Sequence, residues 1–330
     1  MLLLTKSALA LMVSFLVSIV VSLLIIPSLQ KLKAGQRVSI YLEKTHKKKQ
    51  GTPTMGGLIF VISSIITLFC LFIAEKIDFS INLFIIIFTF IGYALIGFID
   101  DFLIIKKKNN KGLKEGHKMV MQIILAIIFF YLFMKGDNEP LLWIQQINLK
   151  LDIGFFYGIF ILFILVSSSN AVNLTDGLDG LAGGLSVITL LAFGIITYSA
   201  DWLYGFEEIG LFCFILVGSI LGFLIFNVSP AKIFMGDTGS LALGGVIGAI
   251  AILTRHEFLL ILLMLVFILE TVSVILQRYY YKLTKKRLFP MAPLHHSFEK
   301  KGWNERDIVK LFWVIGLIGA LLAIIYGVWI

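Results

Sequence analysis

Long apolar runs separated by short polar connections make up most of this chain. Most of the runs hold 16–23 residues, and a helix needs about 20 apolar residues to cross a bilayer. The pattern therefore predicts ten transmembrane helices. Their predicted bounds are Ala8–Leu29, Gly56–Ile73, Asn82–Ile99, Met119–Met134, Gly154–Ser169, Leu178–Tyr198, Ile209–Phe226, Leu241–Thr254, Phe258–Leu276 and Ile308–Ile330.

The first and eighth predicted helices need separate arguments. Ala8–Leu29 is longer than a signal-peptide core and has no A-x-A-like cleavage site, so we expect it to be retained. Leu241–Thr254 is short and contains Gly244, Gly245 and Gly248. It has the weakest helical pattern of the ten.

Composition agrees with a membrane protein. Hydrophobic residues account for 59% of the 330 residues and charged residues for 15%, whereas soluble domains are about 25% charged. The mean hydropathy is +0.98. We expect an all-α, polytopic integral membrane protein in which residues 1–330 form a single transmembrane domain. Cys70 and Cys213 lie inside apolar runs, which favours inert packing over a disulfide or a metal pair.

The basic residues give the predicted helices an orientation. Alternate connections, starting with Gln30–Met55, carry 23 of the 28 Lys and Arg residues. By the positive-inside rule, these connections face the cytoplasm and the N-terminus lies outside. Omitting the eighth helix would move the most basic connection outside, so the charge distribution supports that helix. The opposite connections hold only Lys6, Lys76, Lys135, Lys150 and Arg255.

The positive charge on one face has two interpretations, and charge alone does not separate them. The net charge of +8 fits topology determination and attraction to anionic lipids. It also fits a site for phosphorylated substrates. On the opposite face, alternating apolar and polar residues at Ile144–Ile153 predict a small hairpin.

Carboxylates lie at the predicted cytoplasmic ends of three helices. Asp100 and Asp101 end the third, Asp176 and Asp179 follow the fifth, and Asp237 precedes the eighth. Acids at a membrane boundary are rare without a function, and oxygen ligands without a Cys/His cage favour Mg²⁺ or Mn²⁺ over zinc. The pattern indicates a metal or phosphate site. Two structural alternatives stay open: the adjacent pair can be a solvated helix end held by Lys106–Lys108, and Asp237 can cap its own helix.

Two further polar segments belong to the same predicted face. Asn173, Asp176 and Asp179 are spaced three residues apart, so a helix would align them along one face for the edges of a base or the hydroxyls of a ribose. Lys49 and Thr54 lie in a Gly/Pro-containing turn that can hold phosphate oxygens, although it lacks the P-loop pattern.

The largest basic connection contains a histidine pair. His295 and His296 can act as ligands, as acid/base groups or as phosphate donors, and the absence of H-E-x-x-H disfavours a zinc protease. Asn304 predicts a cap at the start of the last helix. In the ninth predicted helix, Glu270 is interpreted as a buried, paired structural residue. Gln277 lies near the cytoplasmic end of that range, within reach of the site.

Five segments give the chain a family resemblance. They are GTPTMGG at Gly51–Gly57, the pair Asp100-Asp101, NLTDGLDGLAGG at Asn173–Gly184, FNVSPAKIFMGDTGSLALGG at Phe226–Gly245 and MAPLHHSFEKKGW at Met291–Trp303. Over nearly its whole length the chain resembles the phospho-N-acetylmuramoyl-pentapeptide-transferase family of the polyprenyl-phosphate N-acetylhexosamine-1-phosphate transferase superfamily. That family has ten spans and a cytoplasmic site. It transfers phospho-N-acetylmuramoyl-pentapeptide from its UDP carrier to undecaprenyl phosphate, and lipid I and UMP form with Mg²⁺.

The resemblance implies a role for each candidate residue. Asp237 is the implied Mg²⁺ ligand, while Asp100 and Asp101 serve the lipid phosphate or the metal, with one of them a candidate base. The implied nucleoside pocket contains Asn173, Asp176, Asn227, Gln277 and Phe234, which would stack on uracil. The side chains implied to hold the diphosphate and the sugar are Lys49, Thr54, His295 and His296.

Two positions depart from the family pattern. Ser297 stands where the family usually has a third consecutive histidine. Ile104 stands where it usually has a lysine, three residues after the second aspartate, and Lys106 is the expected substitute.

The resemblance also implies a setting for the enzyme. It is a multi-pass enzyme of the bacterial cytoplasmic (inner) membrane that performs the first membrane step of peptidoglycan synthesis. The expected partners are UDP-N-acetylmuramoyl-pentapeptide, undecaprenyl phosphate, the lipid bilayer and a second copy of the chain in a homodimer. Nucleic acid is not expected.

Alternatives in mechanism and in function remain. We expect direct in-line attack of the lipid phosphate on the β-phosphate; the alternative is a two-step route through a phosphorylated aspartate. A sister enzyme that transfers N-acetylglucosamine-1-phosphate is disfavoured by the MAPLHHS segment. A cation transporter is disfavoured because transporters place their acids near the bilayer midplane, whereas these acids cluster at one face.

Overall fold

The structure, a computed structural model, describes residues 2–32, 49, 51–107, 112–136, 138–144, 149–199 and 206–329. In these ranges the two strands β1 (Leu141–Ile144) and β2 (Leu149–Asp152) form the one sheet, and a π-helical turn, Ile325–Trp329, ends the described chain. The α-helices are α1 (Leu2–Lys31), α2 (Gly57–Ile73), α3 (Ile81–Lys107), α4 (Glu115–Lys135), α5 (Phe156–Thr175), α6 (Leu181–Ser199), α7 (Glu207–Asn227), α8 (Gly236–Leu253), α9 (Leu260–Leu263), α10 (Leu265–Thr284), α11 (Leu294–Lys300) and α12 (Glu305–Ile324).

Every one of the ten predicted ranges contains helix. Within the described residues, eight helices are long and apolar enough to cross a membrane, namely α1, α3 to α8 and α12. Helix α2 is apolar but shorter, with 17 residues. The all-α, polytopic membrane fold is confirmed, while the total of ten spans stays a prediction. Cys70 and Cys213 are free thiols, in agreement with the sequence.

The predicted ninth helix, Phe258–Leu276, has the wrong bounds. At Met264 the backbone leaves the helical conformation (φ −106°, ψ 21°), which divides the range into α9 and α10. Helix α10 then continues through polar residues to Thr284. The predicted range ended where the side chains become polar. A helix can continue past that point, because its backbone hydrogen bonds do not depend on apolar side chains.

Helices α7 and α8 form the centre of the bundle. In their apolar windows 83% and 89% of the residues are buried, more than in the other six spanning helices. A methyl group at Gly244 of α8 would collide with the backbone of Ser168 and Ser169 in α5, and one at Gly245 would collide with the Tyr93 ring of α3. The glycines that weakened the sequence pattern therefore allow three helices to pack closely, as small residues do in membrane bundles.

The predicted hairpin lies at the end of α8 that is remote from Asp237, and its first strand begins before the predicted range. Strand β1 pairs antiparallel with β2, with Leu141 opposite Asp152. Arg255, which follows α8, donates hydrogen bonds to the carbonyl oxygens of Leu141 at 3.1 Å and Glu139 at 2.7 Å. These bonds tie the hairpin to the end of α8.

Candidate active site

The Asp101 carboxylate binds the N-terminus of α8. Its Oδ2 accepts hydrogen bonds from the Thr238 backbone N–H at 2.9 Å and the Thr238 hydroxyl at 2.6 Å, and its Oδ1 accepts from the Asp237 N–H at 3.2 Å. The first N–H groups of a helix have no partner within the helix, so a side chain from α3 replaces a local cap. Asp237 makes no capping hydrogen bond to its own helix, and the cap interpretation of Asp237 is wrong.

The Asp237 side chain lies between polar groups from two other helices. Its Oδ1 accepts a hydrogen bond from Asn173 Nδ2 at 2.8 Å, and its Oδ2 pairs with the Lys118 ammonium. The Asn173 amide also contacts Ser240 Oγ at 2.9 Å, which fixes its orientation. The Asp237 side chain is 24% exposed and that of Lys118 17%, so a ligand can reach both.

Asp100 lies beside this ion pair in a different setting from Asp101. Its carboxylate accepts a hydrogen bond from the Leu113 N–H at 2.7 Å. A methyl group at Gly112 would meet the carboxylate oxygens of Asp100 at 2.6 Å, so Gly112 and Leu113, just before α4, lie directly against Asp100. The two adjacent acids therefore perform different structural tasks.

Lys118 is the residue of this cluster that sequence reasoning missed. It interacts electrostatically with all three carboxylates, those of Asp237, Asp100 and Asp101. Lys106, the expected substitute for the family lysine, is exposed, and Lys108 lies outside the described residues. The available signal was weak, because Lys118 was one of six basic residues in a connection that topology alone explained.

Close glycine contacts fix the backbone around Asp237. A methyl group at Gly57 would collide with the backbone of Gly239, and one at Gly97 would collide with the backbone of Asp237. Gly236 has φ +72° and leaves no room for a side chain beside Thr54 Oγ1 and Asp101 Oδ2. Helices α2, α3 and α8 therefore meet at backbone distance next to the acids.

Lys49 forms a second charged group with two acids. Its Nζ lies 2.7 Å from Asp179 Oδ1 and 2.5 Å from Glu305 Oε1. Burial opposes the Lys49 charge, but the carboxylates of Glu305 and Asp179 outweigh burial and raise the pKa of Lys49. Glu305 also accepts from the Asp179 N–H at 2.8 Å, and Asp179 Oδ2 accepts from the Ala231 N–H at 3.1 Å. Sequence reasoning missed Glu305, although it did predict the adjacent Asn304 cap, which the structure confirms.

The predicted residues near Phe234 hold backbone in place. Asn227 accepts from the Gly180 N–H at 3.1 Å and donates to the Ile233 carbonyl at 2.9 Å. The Phe234 N–H donates to the Pro53 carbonyl at 2.8 Å, and the Phe234 carbonyl accepts from the Gly56 N–H at 2.8 Å. The turn that contains Thr54 is thus held against the segment before α8.

The proposed helical row of Asn173, Asp176 and Asp179 is not formed. Helix α5 ends at Thr175, and Asp176 is its C-cap, so Asn173 and Asp179 belong to different clusters. Asp176 lies between those clusters and interacts electrostatically with Asp237 and Asp101 on one side and with Asp179 and Lys49 on the other. Desolvation, together with the neighbouring carboxylates, raises the pKa of Asp176 to about 8.

His295 is buried against the turn that contains Asp176. Its backbone N–H donates to Glu270 Oε1 at 3.1 Å, and its ring Nδ1 lies 3.2 Å from Glu270 Oε2. A methyl group at Gly177 would collide with His295 Nε2. Glu270 is therefore buried and paired, as predicted, and its partner is a candidate site residue.

The remainder of this segment is held by its own side chains. His296 Nδ1 lies 2.6 Å from Glu299 Oε2, and the His295 and His296 rings are 4.2 Å apart at 63°. Ser297, at the position of the usual third histidine, donates to the Met291 carbonyl. The side-chain oxygen of Gln277 accepts from the Leu288 and Phe289 N–H groups at 3.1 and 2.9 Å, so its amide serves the connection to α11.

The oxygen donors near Asp237 suit a hard cation in part. Within the described residues no three His, Cys, Asp or Glu side chains form a preorganised metal cluster. Mg²⁺ commonly uses one or two carboxylates together with substrate phosphates and water. Asp237 is 24% exposed and lies beside Asp100, so this pair meets that requirement, whereas Asp101 is buried and both its oxygens bind the start of α8.

The relatives of this chain share one name. Residues 83–255 match the model of glycosyl transferase family 4, and residues 49–61 match phospho-N-acetylmuramoyl-pentapeptide-transferase signature 1. A phospho-N-acetylmuramoyl-pentapeptide-transferase of Geobacillus sp. (strain WCH70) is 44% identical over 323 residues, which cover 98% of each chain. One from Staphylococcus epidermidis (strain ATCC 35984) is 47% identical over 96% of this chain and 98% of the relative. One from Oceanobacillus iheyensis is 44% identical over 97% of this chain and 98% of the relative.

Proposed function

The chain belongs to the phospho-N-acetylmuramoyl-pentapeptide-transferase family, and from that premise we propose that its acidic cluster carries the reaction. The enzyme performs the first membrane step of peptidoglycan synthesis, which forms lipid I. The observation that carries the proposal is the position of Asp237. It is fixed by Asn173 and Lys118, lies beside Asp100, and is accessible at one end of the bundle.

We propose undecaprenyl phosphate as acceptor and UDP-N-acetylmuramoyl-pentapeptide as donor. One lipid-phosphate oxygen forms a bond to the β-phosphorus while the bond from that phosphorus to the bridging oxygen breaks. UMP leaves with the electron pair. Two anionic substrates repel each other, so positioned donors and a cation are needed where charge accumulates.

Chain residues supply several of those groups. Lys118 is placed to take up phosphate charge next to Asp237. His295 Nε2 is buried against Gly177 and has no hydrogen-bond partner in the described chain, so we propose that His295 positions the Asp176–Gly177 turn beside the donor substrate. Asp101 acts indirectly, because it fixes the helix end on which Asp237 stands. Asn173 lies beside Asp237 and Asp176 interacts with both clusters; together with Phe234 they are proposed to contact the nucleoside.

Mg²⁺ is the proposed cofactor. Asp237, with Asp100, would hold it, and the ion would screen the phosphates and polarise the β-phosphate. In the structure Lys118 pairs with Asp237 Oδ2; if Asp237 bound Mg²⁺, the Lys118 ammonium would be free to pair with a substrate phosphate.

We further propose that the cluster faces the cytoplasm in a bacterial inner membrane. The acids lie at the same bundle end as Lys106 and Lys107 at the end of α3 and Lys114 before α4, and basic connections mark the cytoplasmic side. Labelling intact cells with an impermeant maleimide tests the orientation. Lys76→Cys should react and Lys107→Cys should not; the reverse pattern contradicts the topology. The homodimer stays a prediction, to be measured by mass in detergent.

UMP release in detergent with Mg²⁺ and undecaprenyl phosphate tests the function. The pentapeptide donor should be consumed and UDP-N-acetylglucosamine should not. Asp237→Asn should abolish release, whereas Asp307→Asn, an exposed acid in α12, should leave it unchanged. If the enzyme consumed only UDP-N-acetylglucosamine, the proposed donor substrate would be wrong. A phospho-sugar adduct on Asp100 or Asp101, trapped without acceptor, would replace direct attack with the two-step route.

A further inference from the structure

Three basic side chains line a hollow on the same face as the candidate active site. The hollow has a volume of about 320 Å³ and lies between α10, α11 and the connection that joins them. Arg278 comes from α10, Arg287 from the connection and Lys300 from the end of α11. The Tyr281 side chain completes one wall. None of the roles assigned above uses these cations.

The charge in the hollow is weakly compensated. Arg278 is 77% exposed and lies 3.9 Å from Glu115 Oε1, which is itself 93% exposed. Arg287 donates to the Pro290 carbonyl at 3.1 Å. Among the residues that the structure describes, no carboxylate lies within ion-pair distance of Arg287 or Lys300. The site therefore favours an anionic group.

The walls of the hollow are fixed by hydrogen bonds. Gln277 accepts from the Leu288 and Phe289 N–H groups and donates to the Phe289 carbonyl at 3.3 Å. These bonds hold the backbone next to Arg287. At the other end of the connection, Ser297 and Met291 bond to each other. Arg287 therefore stands on a connection that is tied to both flanking helices, and those helices carry Arg278 and Lys300.

The hollow lies within the length of a pentapeptide from His295. Glu270, which holds His295, and Arg278 are eight residues apart on α10, or about 12 Å along a helix. Five extended residues span at most about 17 Å. A pentapeptide whose sugar is bound near His295 can therefore reach the hollow.

We propose that this hollow binds the C-terminal carboxylate of the donor's pentapeptide. The inference rests on the proposed function, which makes that donor the substrate. A pentapeptide joined to a muramoyl group through its amino end leaves a carboxylate at the far end. Guanidinium groups match the planar geometry of a carboxylate and bind it with two hydrogen bonds. Arg278, Arg287 and Lys300 are thus specificity residues for the peptide and take no part in the phosphate chemistry.

Pairing enzyme variants with donor variants tests this proposal. Arg287→Gln, Lys300→Gln and the double variant are compared on the natural donor and on a donor whose C-terminal carboxylate is an amide. Each single substitution should raise KM for the natural donor about fivefold and change kcat little. Wild-type KM should already be raised for the amide donor, and the variants should raise it no further. Lys286→Gln, an exposed lysine next to Arg287 that does not line the hollow, is the control.

Other results would overturn the proposal in recognisable ways. An equal rise in KM for both donors would show that the cations attract the UDP donor as a whole and do not recognise its C-terminal carboxylate. A change confined to KM for undecaprenyl phosphate, or to the dependence on anionic lipid, would make the hollow a lipid site. If wild-type enzyme consumes the pentapeptide donor and the variants behave as wild type, this inference alone fails. If wild-type enzyme does not consume that donor, the proposed function fails.

Discussion

Asp101 on α3 and Thr238 on α8 are joined by two hydrogen bonds to one carboxylate oxygen, at 2.9 Å from the backbone nitrogen and 2.6 Å from the hydroxyl. The neighbouring Asp100 accepts a hydrogen bond from the Leu113 N–H and faces Lys118 instead. Two adjacent carboxylates therefore differ in function: Asp101 fixes the helix that presents Asp237, and Asp100 stands beside the accessible ion pair.

Replacing the two acids separately should separate stability from activity. Asp101→Ala removes three hydrogen bonds from the start of α8 and should lower stability by about 1–2 kcal/mol, with loss of activity. Asp100→Asn keeps an acceptor for Leu113 and should lose activity with a nearly unchanged unfolding midpoint. Thermal unfolding in detergent, measured beside UMP release, checks both. An unchanged midpoint for Asp101→Ala would contradict the capping role.

Lys118→Gln should reduce kcat at least 100-fold, because removing one donor from a developing negative charge typically has that effect. Lys118→Arg should not restore full activity, since a guanidinium does not reproduce a compact ammonium group. Lys114→Gln is the matched control, because Lys114 precedes the same helix and is exposed. Steady-state UMP release gives the comparison, and equal effects at both lysines would remove Lys118 from the site.

Gly177→Ala should displace the His295 ring, because the added methyl carbon would lie well inside the van der Waals contact distance of Nε2. We expect a loss of activity of at least tenfold, since small misplacements of a positioned group reduce rates strongly. Gly116→Ala has open space around the new methyl group and should remain active. Retained activity in Gly177→Ala would show that His295 is not needed in its present position.

Asp176 should make stability depend on pH. Its pKa is raised from 3.8 to about 8 in the folded protein, so the folded state keeps a proton that the unfolded state releases. Such a group favours folding below its unfolded pKa, and this contribution is lost as pH rises through the folded pKa. Between pH about 4 and about 8, the wild-type unfolding midpoint should fall more steeply than that of Asp176→Asn. Asp307→Asn, at an exposed position, should follow wild type; parallel curves for all three proteins would contradict the shift.

Sequence alone predicted the membrane fold and the end of the bundle where the acids meet, because apolar length and Lys/Arg placement follow from bilayer physics. It did not predict which acid pairs with which cation. The contacts of Lys118 with Asp237 and of Lys49 with Glu305 join distant parts of the chain, and no local pattern encodes them. The break at Met264 was missed for a related reason, since hydropathy does not register a change in backbone conformation.

The glycine contacts around Asp237 limit which amino-acid substitutions this enzyme can tolerate. Gly57, Gly97, Gly236 and Gly239 have no space for even one methyl group, so a substitution at any of them shifts the helix that presents Asp237. Few resistance mutations should therefore be available against an inhibitor that binds next to Asp237. In a resistance selection we expect mutations at the exposed cations around the hollow and almost none at these four glycines.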